Sequence, residues 1–412
     1  MKKITLGYCG MTHLGLLHAV AAAGKGFDVV GYDPFGIIKV IEPGLDEALE
    51  QRSDKLNFTQ DLNALKACDI VYIAPDVATN DQGQSDLTVI NSLLDKVIPA
   101  LNSDALLVIL SQVSPGFTRL VGFPKSRLFY QVETLIFGRA LERAEYPERF
   151  IIGCHHPNEA LPLNFKTFLE SFDCPILPMR YESAELAKIA INCCLVASIS
   201  VANTLGELCE NIGADWHEIV PALRLDKRIG PYAYLNPGLG ISGGNLERDL
   251  ATIVNMASQH GTDKGVIKSF INNSVYRKNW PLKVLHQQVL QHKPDAKIAV
   301  WGLTYKENTH SLKNSPAIQL LSDLQEYDVS VYDPVIKQID LAAKIAASPI
   351  AALQDADVLV IMTPWQDFRE VDVSEVAQKM AGKTIIDPFG VLAQEKLLQN
   401  DIHYYALGKS TC

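Results

Sequence analysis

The first 33 residues alternate in a way that few folds accommodate. Lys3–Gly7 reads as a strand, a glycine-bearing turn follows, Leu14–Ala23 is an apolar helix, and Asp28–Tyr32 is a second strand. Strands joined through a helix run parallel and need helices on both faces of their sheet. Further strands are expected in IVYIAP from Ile70 and LLVILS from Leu106. The alternation resumes near the other end, in KIAVWGL from Lys297, VSVYDP from Val329, VLVIMTP from Val358 and TIIDP from Thr384. Between them lies Glu182–Asn211, an amphipathic pattern without Pro and without Gly until Gly206. A helix of that length crosses between domains or packs in an oligomer. The expected architecture is α/β: two doubly wound units joined by a long-helix middle.

A chain of 412 residues is too long for one ordinary core, which agrees with this division. The net charge of −10 and a pI near 5.5 argue against nucleic acid or an anionic membrane surface as partner. An anionic ligand must then be met by a few local cations. The opening MKKITLGYCGMTHLGLLHAVAAAG imitates a signal peptide, but Gly7, Gly10, His13 and Gly15 interrupt the apolar run where a strand–turn–helix needs them. No apolar stretch is expected to approach the roughly 20 residues of a membrane span. The eight cysteines form no CxxC pair, so a reduced, cytosolic chain is expected.

Several stretches carry chemistry. The turn Thr5-Leu6-Gly7-Tyr8-Cys9-Gly10 offers the last two glycines of a dinucleotide fingerprint, Gly7 for backbone approach to a pyrophosphate and Gly10 for helix–strand packing. Amide groups at the following helix N-terminus favour an anion. Asp33 ends the second strand, where a carboxylate accepts from a ribose diol and repels a 2′-phosphate, so NAD is expected over NADP. Lys188 and Asn192 lie four apart and share a helix face, and a buried lysine there serves as base or stabilises an alkoxide. Spacing alone favours a solvated lysine with an incidental asparagine. Arg228, Lys306 and Lys313, with Arg248, are candidate phosphate clamps if they converge. His155 and His156 beside Cys154 lack further ligands at suitable spacing, so no metal is expected.

Together these motifs resemble the UDP-glucose/GDP-mannose dehydrogenase family over nearly the whole chain. The matching stretches are LGYCG with GYDP, EPGLDEAL, SQVSPGFTR, VETLIFG, AELAKIAIN, DKRIGPYAYLNPGLG, GLTYKENTHSLKNSPA and TPWQDFRE. The resemblance implies an NAD-binding Rossmann domain over 1–180, a central helical dimerisation domain over 181–290, and a Rossmann-like domain holding a nucleotide-sugar over 291–412. It implies coenzyme contacts at Gly7, Tyr8, Cys9, Gly10, Asp33 and Gln112, and substrate contacts at Arg228, Gly240, Lys306 and Lys313. Family enzymes oxidise the sugar C6 alcohol to a carboxylate with two NAD, through a thiohemiacetal and a thioester on a cysteine.

Here the chain departs from its family. The family segment similar to GYGGSCFPKD carries the cysteine where this chain has Asn245, and Arg248 replaces its lysine. Lys188, Asn192, Asp249 and Glu133 match the residues implicated in alcohol oxidation and acid/base work. Phe137 replaces a second glutamate and Gln112 a threonine. His310 and Ser311 stand where acidic residues are usual, Pro388-Phe389 where an arginine follows the last strand, and Thr5 in place of the first glycine. An amide cannot serve as the nucleophile a thiolate is. The expected activity is therefore NAD-dependent oxidation of a nucleotide-sugar hydroxyl, at C6 and with a UDP-sugar, without a covalent intermediate. The alternatives are an epimerase using transient oxidation, an inactive nucleotide-sugar-binding protein, or a β-hydroxyacid dehydrogenase, against which the second α/β unit speaks. The long helix, with Ile191, Leu195, Ile199 and Leu205, implies a homodimer.

Overall fold

The computed structural model describes residues 3–80, 85–394, 397 and 399–410. The chain divides into two compact units, Met1–Ile191 and Asn192–Cys412, and the division falls inside one continuous helix, Tyr181–Ile212.

The first unit is built on an eight-stranded sheet. Its strands begin with β1 (Thr5–Cys9), β2 (Asp28–Tyr32), β3 (Leu56–Thr59) and β4 (Ile70–Ile73). A short antiparallel pair follows, β5 (Ala78–Thr79) and β6 (Ser85–Asp86), and then the sheet continues with β7 (Leu106–Ile109), β8 (Leu128–Gln131), β9 (Phe150–Cys154) and β10 (Ile176–Arg180). The sheet order is β10-β9-β8-β7-β4-β1-β2-β3, parallel except where β8 meets β9. The order reverses beside β1, which makes the carboxyl ends of β1 and β4 the natural ligand crevice. Both faces of the central strands are buried: Leu6 and Tyr8 pack with the first helix, His13–Gly24, while Cys9, Val71 and Ile73 pack on the other side. Runs such as IVYI and LLVI are apolar without alternation for that reason.

The second unit contains a six-stranded, all-parallel sheet of β11 (Ile298–Trp301), β12 (Val329–Tyr332), β13 (Lys344–Ile345), β14 (Val358–Ile361), β15 (Thr384–Ile386) and β16 (His403–Tyr405). Its order is β13-β12-β11-β14-β15-β16. Helices Trp216–Leu225, Asn245–His260 and Gly265–Lys278 precede the sheet. Arg277 is fully buried among them and pairs with Glu207 at 2.9 Å and Glu210 at 3.6 Å, tying two helices together.

The two sheets use the same turn device. Gly10 at φ +95° and Gly302 at φ +88° each follow the first strand of their sheet, and their N–H groups donate to Tyr32 O and Tyr332 O. Asp33 then accepts from Met11 N, and Asp333 from Leu303 N. A Cβ on Gly10 would lie 2.7 Å from Pro75 N, and one on Gly302 2.7 Å from Thr363 N, so only glycine fits either place.

The Tyr181–Ile212 helix, 32 residues long, departs from one expectation. By length and composition it is apolar enough to cross a membrane, and it is the one such helix among the described residues. Counting uninterrupted apolar runs passed over it, because Ser198, Ser200, Asn203 and Thr204 break the run without making it polar overall. Several of its polar groups are satisfied inside the fold. Glu185 accepts from Gly116 N and Thr118 N at 2.6 and 2.8 Å, and Asn203 Oδ1 accepts from Gly238 N at 2.7 Å.

Candidate active site

The expected coenzyme turn is displaced by five residues, from Thr5–Gly10 to Gly10–Gly15. β1 runs through Gly7, Tyr8 and Cys9, which pair with both β2 and β4. Tyr8 is stacked on Tyr72 with ring centroids 4.7 Å apart, and Cys9 is fully buried. A Cβ on Gly7 would meet the side chains of Leu65, Cys68 and Val71 at 3.0–3.2 Å. These three residues are therefore sheet core and not coenzyme contacts, which corrects their assignment. The strand continues because its side chains alternate between two apolar faces as far as Cys9.

The turn itself is Gly10-Met11-Thr12-His13-Leu14-Gly15. Gly15 is the packing glycine: a Cβ there would sit 2.0 Å from Gly10 O. Gly10 is the tight-turn glycine, and Thr12, not Thr5, stands at the substituted position, the middle one. Thr12 has φ −83°, which suits any residue, and makes no side-chain bond to the helix it precedes. Its Oγ1 instead accepts from Asp76 N at 2.8 Å. Asp76 Oδ2 lies 3.4 Å from Leu14 N, so a carboxylate shares the helix N-terminus with any phosphate that binds there. The spacing of Gly10 and Gly15 was the available sequence signal.

Asp33 has a structural duty beside the expected one. Its Oδ2 accepts from Met11 N at 2.8 Å and its Oδ1 from Phe35 N at 2.9 Å. A carboxylate has about four acceptor positions, so both oxygens retain capacity for a ribose diol. Gln112 is buried just beyond β7.

In the same unit Lys188 Nζ lies 2.8 Å from Glu133 Oε1, with both side chains largely buried. Leu135 N donates to Glu133 Oε2 at 2.9 Å. Burial opposes ionisation of Glu133, but the Lys188 ammonium and this amide outweigh it and hold the carboxyl below its usual range. The spacing argument that favoured a solvated lysine is thus overturned. His18, on the first helix, feels both Glu133 and His13; burial drives its imidazole down to about 4, so it stays neutral. His13 bonds Glu42 at 3.2 Å and packs on Phe137 with ring centroids 4.4 Å apart. Glu42 is buried and accepts from Gly138 N and Ala140 N at 3.2 and 2.6 Å. None of His13, His18 or Glu42 was singled out from the sequence as a site residue.

The second unit builds its own constellation. Asn192 Nδ2 donates to Asp249 Oδ2 at 2.5 Å, and Arg248 Nε lies 3.5 Å from Asp249 Oδ1, all three residues being buried. Asn245 is the first residue of its helix, after Gly240, Gly243 and Gly244 at φ +74°, +87° and +97°. Gly240 is pressed against Ser274 O, where a Cβ would sit at 2.5 Å, and Gly243 against the Tyr305 ring at the same distance. Gly243 N donates to Lys313 O at 3.2 Å, and the Lys313 side chain runs beside Gly244. Glu247 secures this junction, accepting from Gly244 N, from Asn314 Nδ2 at 2.7 Å and from Lys278 Nζ at 3.0 Å. Lys313 is thus brought to the start of the Asn245 helix. Lys306 stands 5.9 Å from the Tyr305 ring centroid, whereas the Arg228 side chain is 89% exposed and is held by Asp226 at 2.5 Å.

Among the described residues, the thiol beside Asn192 is not an activated one. Cys193, next to Asn192, is half-buried; burial and the Asp249 charge push its thiol up to about 11. At neutral pH it is protonated and a poor nucleophile.

Residues 3–169 match the NAD binding domain of the UDP-glucose/GDP-mannose dehydrogenase family, 182–274 its central domain, and 299–394 its UDP binding domain. The UDP-glucose 6-dehydrogenase of Rickettsia prowazekii is 30% identical over 392 residues, 90% of each chain. That of Rickettsia typhi is 29% identical over 434 residues, covering 98% of this chain and 99% of the relative. Among solved structures, a UDP-glucose dehydrogenase from Pyrobaculum islandicum superimposes with a TM-score of 0.83 at 26% identity, covering 99% of this chain and 98% of that one. The NAD binding match agrees with the Gly10–Gly15 cradle, whose close backbone packing leaves room for no larger residue. The matches run in one order from residue 3 to residue 394, and the identity extends across nine-tenths of both chains; this chain belongs to the UDP-glucose/GDP-mannose dehydrogenase family and is an NAD-dependent oxidoreductase acting on a CH–OH group of a nucleotide-sugar.

Proposed function

We propose that the protein oxidises the C6 alcohol of a UDP-sugar by two electrons, to an aldehyde, without a covalent enzyme intermediate. The observation that carries this reading is Asn245 at the head of its helix, where the family resemblance expects the cysteine, while Lys188–Glu133 and Asn192–Asp249 remain paired. A bound NAD would supply the hydride acceptor for the sugar carbon. The N–H groups of the helix opened by Thr12 would hold its pyrophosphate, and Asp33 its ribose diol. The Lys188 ammonium stabilises the oxygen as its proton leaves, and the Glu133 carboxylate receives that proton. Asn192 is held in one orientation by its bond to Asp249. With the C–H electron pair gone as hydride and the O–H proton on Glu133, the carbon is left as an aldehyde and the balance is complete. Asn245 carries an amide and forms no covalent bond to that carbon.

Mixing the protein with NAD and a panel of nucleotide-sugars tests this reading. NADH formation with a UDP-sugar, and an aldehyde captured by a hydrazine, is expected. No NADH with any member, or interconversion of sugar isomers without net NADH, rejects it.

The same reading takes the protein to be a homodimer. Val201, Leu205, Leu208 and Ile212 are exposed on the long helix at spacings of four, three and four, which forms one apolar stripe of the kind two packed helices share. Leu208→Glu puts a charge in that stripe and is expected to shift the mass in solution from dimer to monomer. A monomeric parent protein at micromolar concentration contradicts the assembly.

A further inference from the structure

The segment after Asp33 is apolar where a surface loop is usually polar. Phe35 is 92% exposed and Ile41 79%, with Ile37 and Ile38 half-exposed between them. Isolated exposed apolar side chains are ordinary, but four within seven residues make a patch that marks a binding surface.

The turn that presents Phe35 is fixed from below. Asp33 Oδ1 accepts from Phe35 N at 2.9 Å, and Gly36 N donates to Asp33 O at 3.2 Å. Gly36 has φ +83° and lies against the Gln60 side chain, just past the end of β3. Asp33 N in turn donates to Thr59 O at 3.3 Å. The phenyl ring is therefore held out at the carboxyl ends of β2 and β3, two residues from Asp33, the carboxylate that on the reading proposed above accepts from the ribose diol. In a doubly wound sheet this edge faces the ligand.

NAD has one flat apolar group on the far side of that ribose, its adenine. We propose that Phe35, with Ile37 and Ile38 beside it, is an apolar clamp for the adenine of the coenzyme. Stacking on an aromatic side chain suits a purine face, and no hydrogen-bond readout is required. The patch commits the loop to an adenine nucleotide and makes Phe35 a binding residue that tunes coenzyme affinity separately from hydride transfer.

Phe35→Ser in the full chain tests the clamp cleanly, because a ring so exposed adds little to the fold. NADH and ADP-ribose, which share the adenosine end, should both bind roughly ten-fold more weakly or worse, from the usual worth of base–aromatic stacking. Turnover at saturating NAD and the melting temperature should stay as in the parent protein, and Phe35→Trp should retain NADH affinity. An unchanged NADH dissociation constant in Phe35→Ser overturns the proposal. So does a weakening for NADH that ADP-ribose does not share, which would place the effect at the nicotinamide end.

Discussion

Replacement of Lys188 by Ala is expected to lower kcat by about 10³-fold, the range for loss of a positioned acid–base or charge-stabilising group. Lys188 Nζ sits 2.8 Å from a buried carboxylate, so its charge is fixed in place and needs no reorganisation as an alkoxide develops. Nucleotide-sugar affinity should change little, because the interaction strengthens only as the proton leaves. The variant carries a side effect. With Lys188 gone, Glu133 is a buried charge without its cation, a situation that costs about 3–5 kcal/mol. Lys188→Met with Glu133→Gln removes both charges and should recover most of the melting temperature while remaining inactive. Recovery of activity along with stability would show that Lys188 acts only by holding the fold. Lost affinity with normal turnover at saturation would make it a substrate clamp.

Gly15→Ala is expected to abolish NAD binding. The added Cβ would sit 2.0 Å from Gly10 O and 3.1 Å from Ala74 O, both backbone atoms. Gly10 is itself pinned by its φ of +95° and by Pro75, so the helix must move away from the turn and its amides leave the phosphate. Overpacking of this kind costs about 1–3 kcal/mol or more and takes the anion site with it. Gly7→Ala is the contrasting variant. Its Cβ meets only side chains, at 3.0 Å or beyond, in the middle of β1, so a modest loss of stability with NAD affinity retained is expected. Isothermal titration of both variants with NADH decides between the two placements of the fingerprint. Loss of binding in Gly7→Ala with the fold intact would restore the earlier placement.

That displacement shows where sequence reading succeeded and where it failed. Strand and helix order was legible because IVYI, LLVI, IAVW and VLVI are unbroken apolar runs between glycine turns, the mark of strands buried on both faces. Helical spacing pointed to a solvated Lys188, and only the family motif set it beside Asn192 and Asp249; the buried Lys188–Glu133 and Asn192–Asp249 pairs depend on partners distant in sequence. The coenzyme turn was misplaced because Gly7 sits inside a strand, tolerated there by the side chains of Leu65, Cys68 and Val71, while Thr12 hides the true middle position. Asp76, Glu42 and Glu247 were missed for another reason. Each acts through backbone amides or partners distant in sequence, such as Ala140 N for Glu42 and Asn314 for Glu247, and no local pattern announces such pairings.

Asn245 is expected to limit the chemistry to one hydride per sugar. An amide nitrogen has its lone pair delocalised and forms no adduct with an aldehyde, and Cys193 is held as a protonated thiol. The most direct measurement is the ratio of NADH formed to sugar consumed at reaction end, with the product identified by mass. One NADH per sugar, an aldehyde product and no mass added to the protein are expected. Two NADH per sugar with a free carboxylate would contradict that limit.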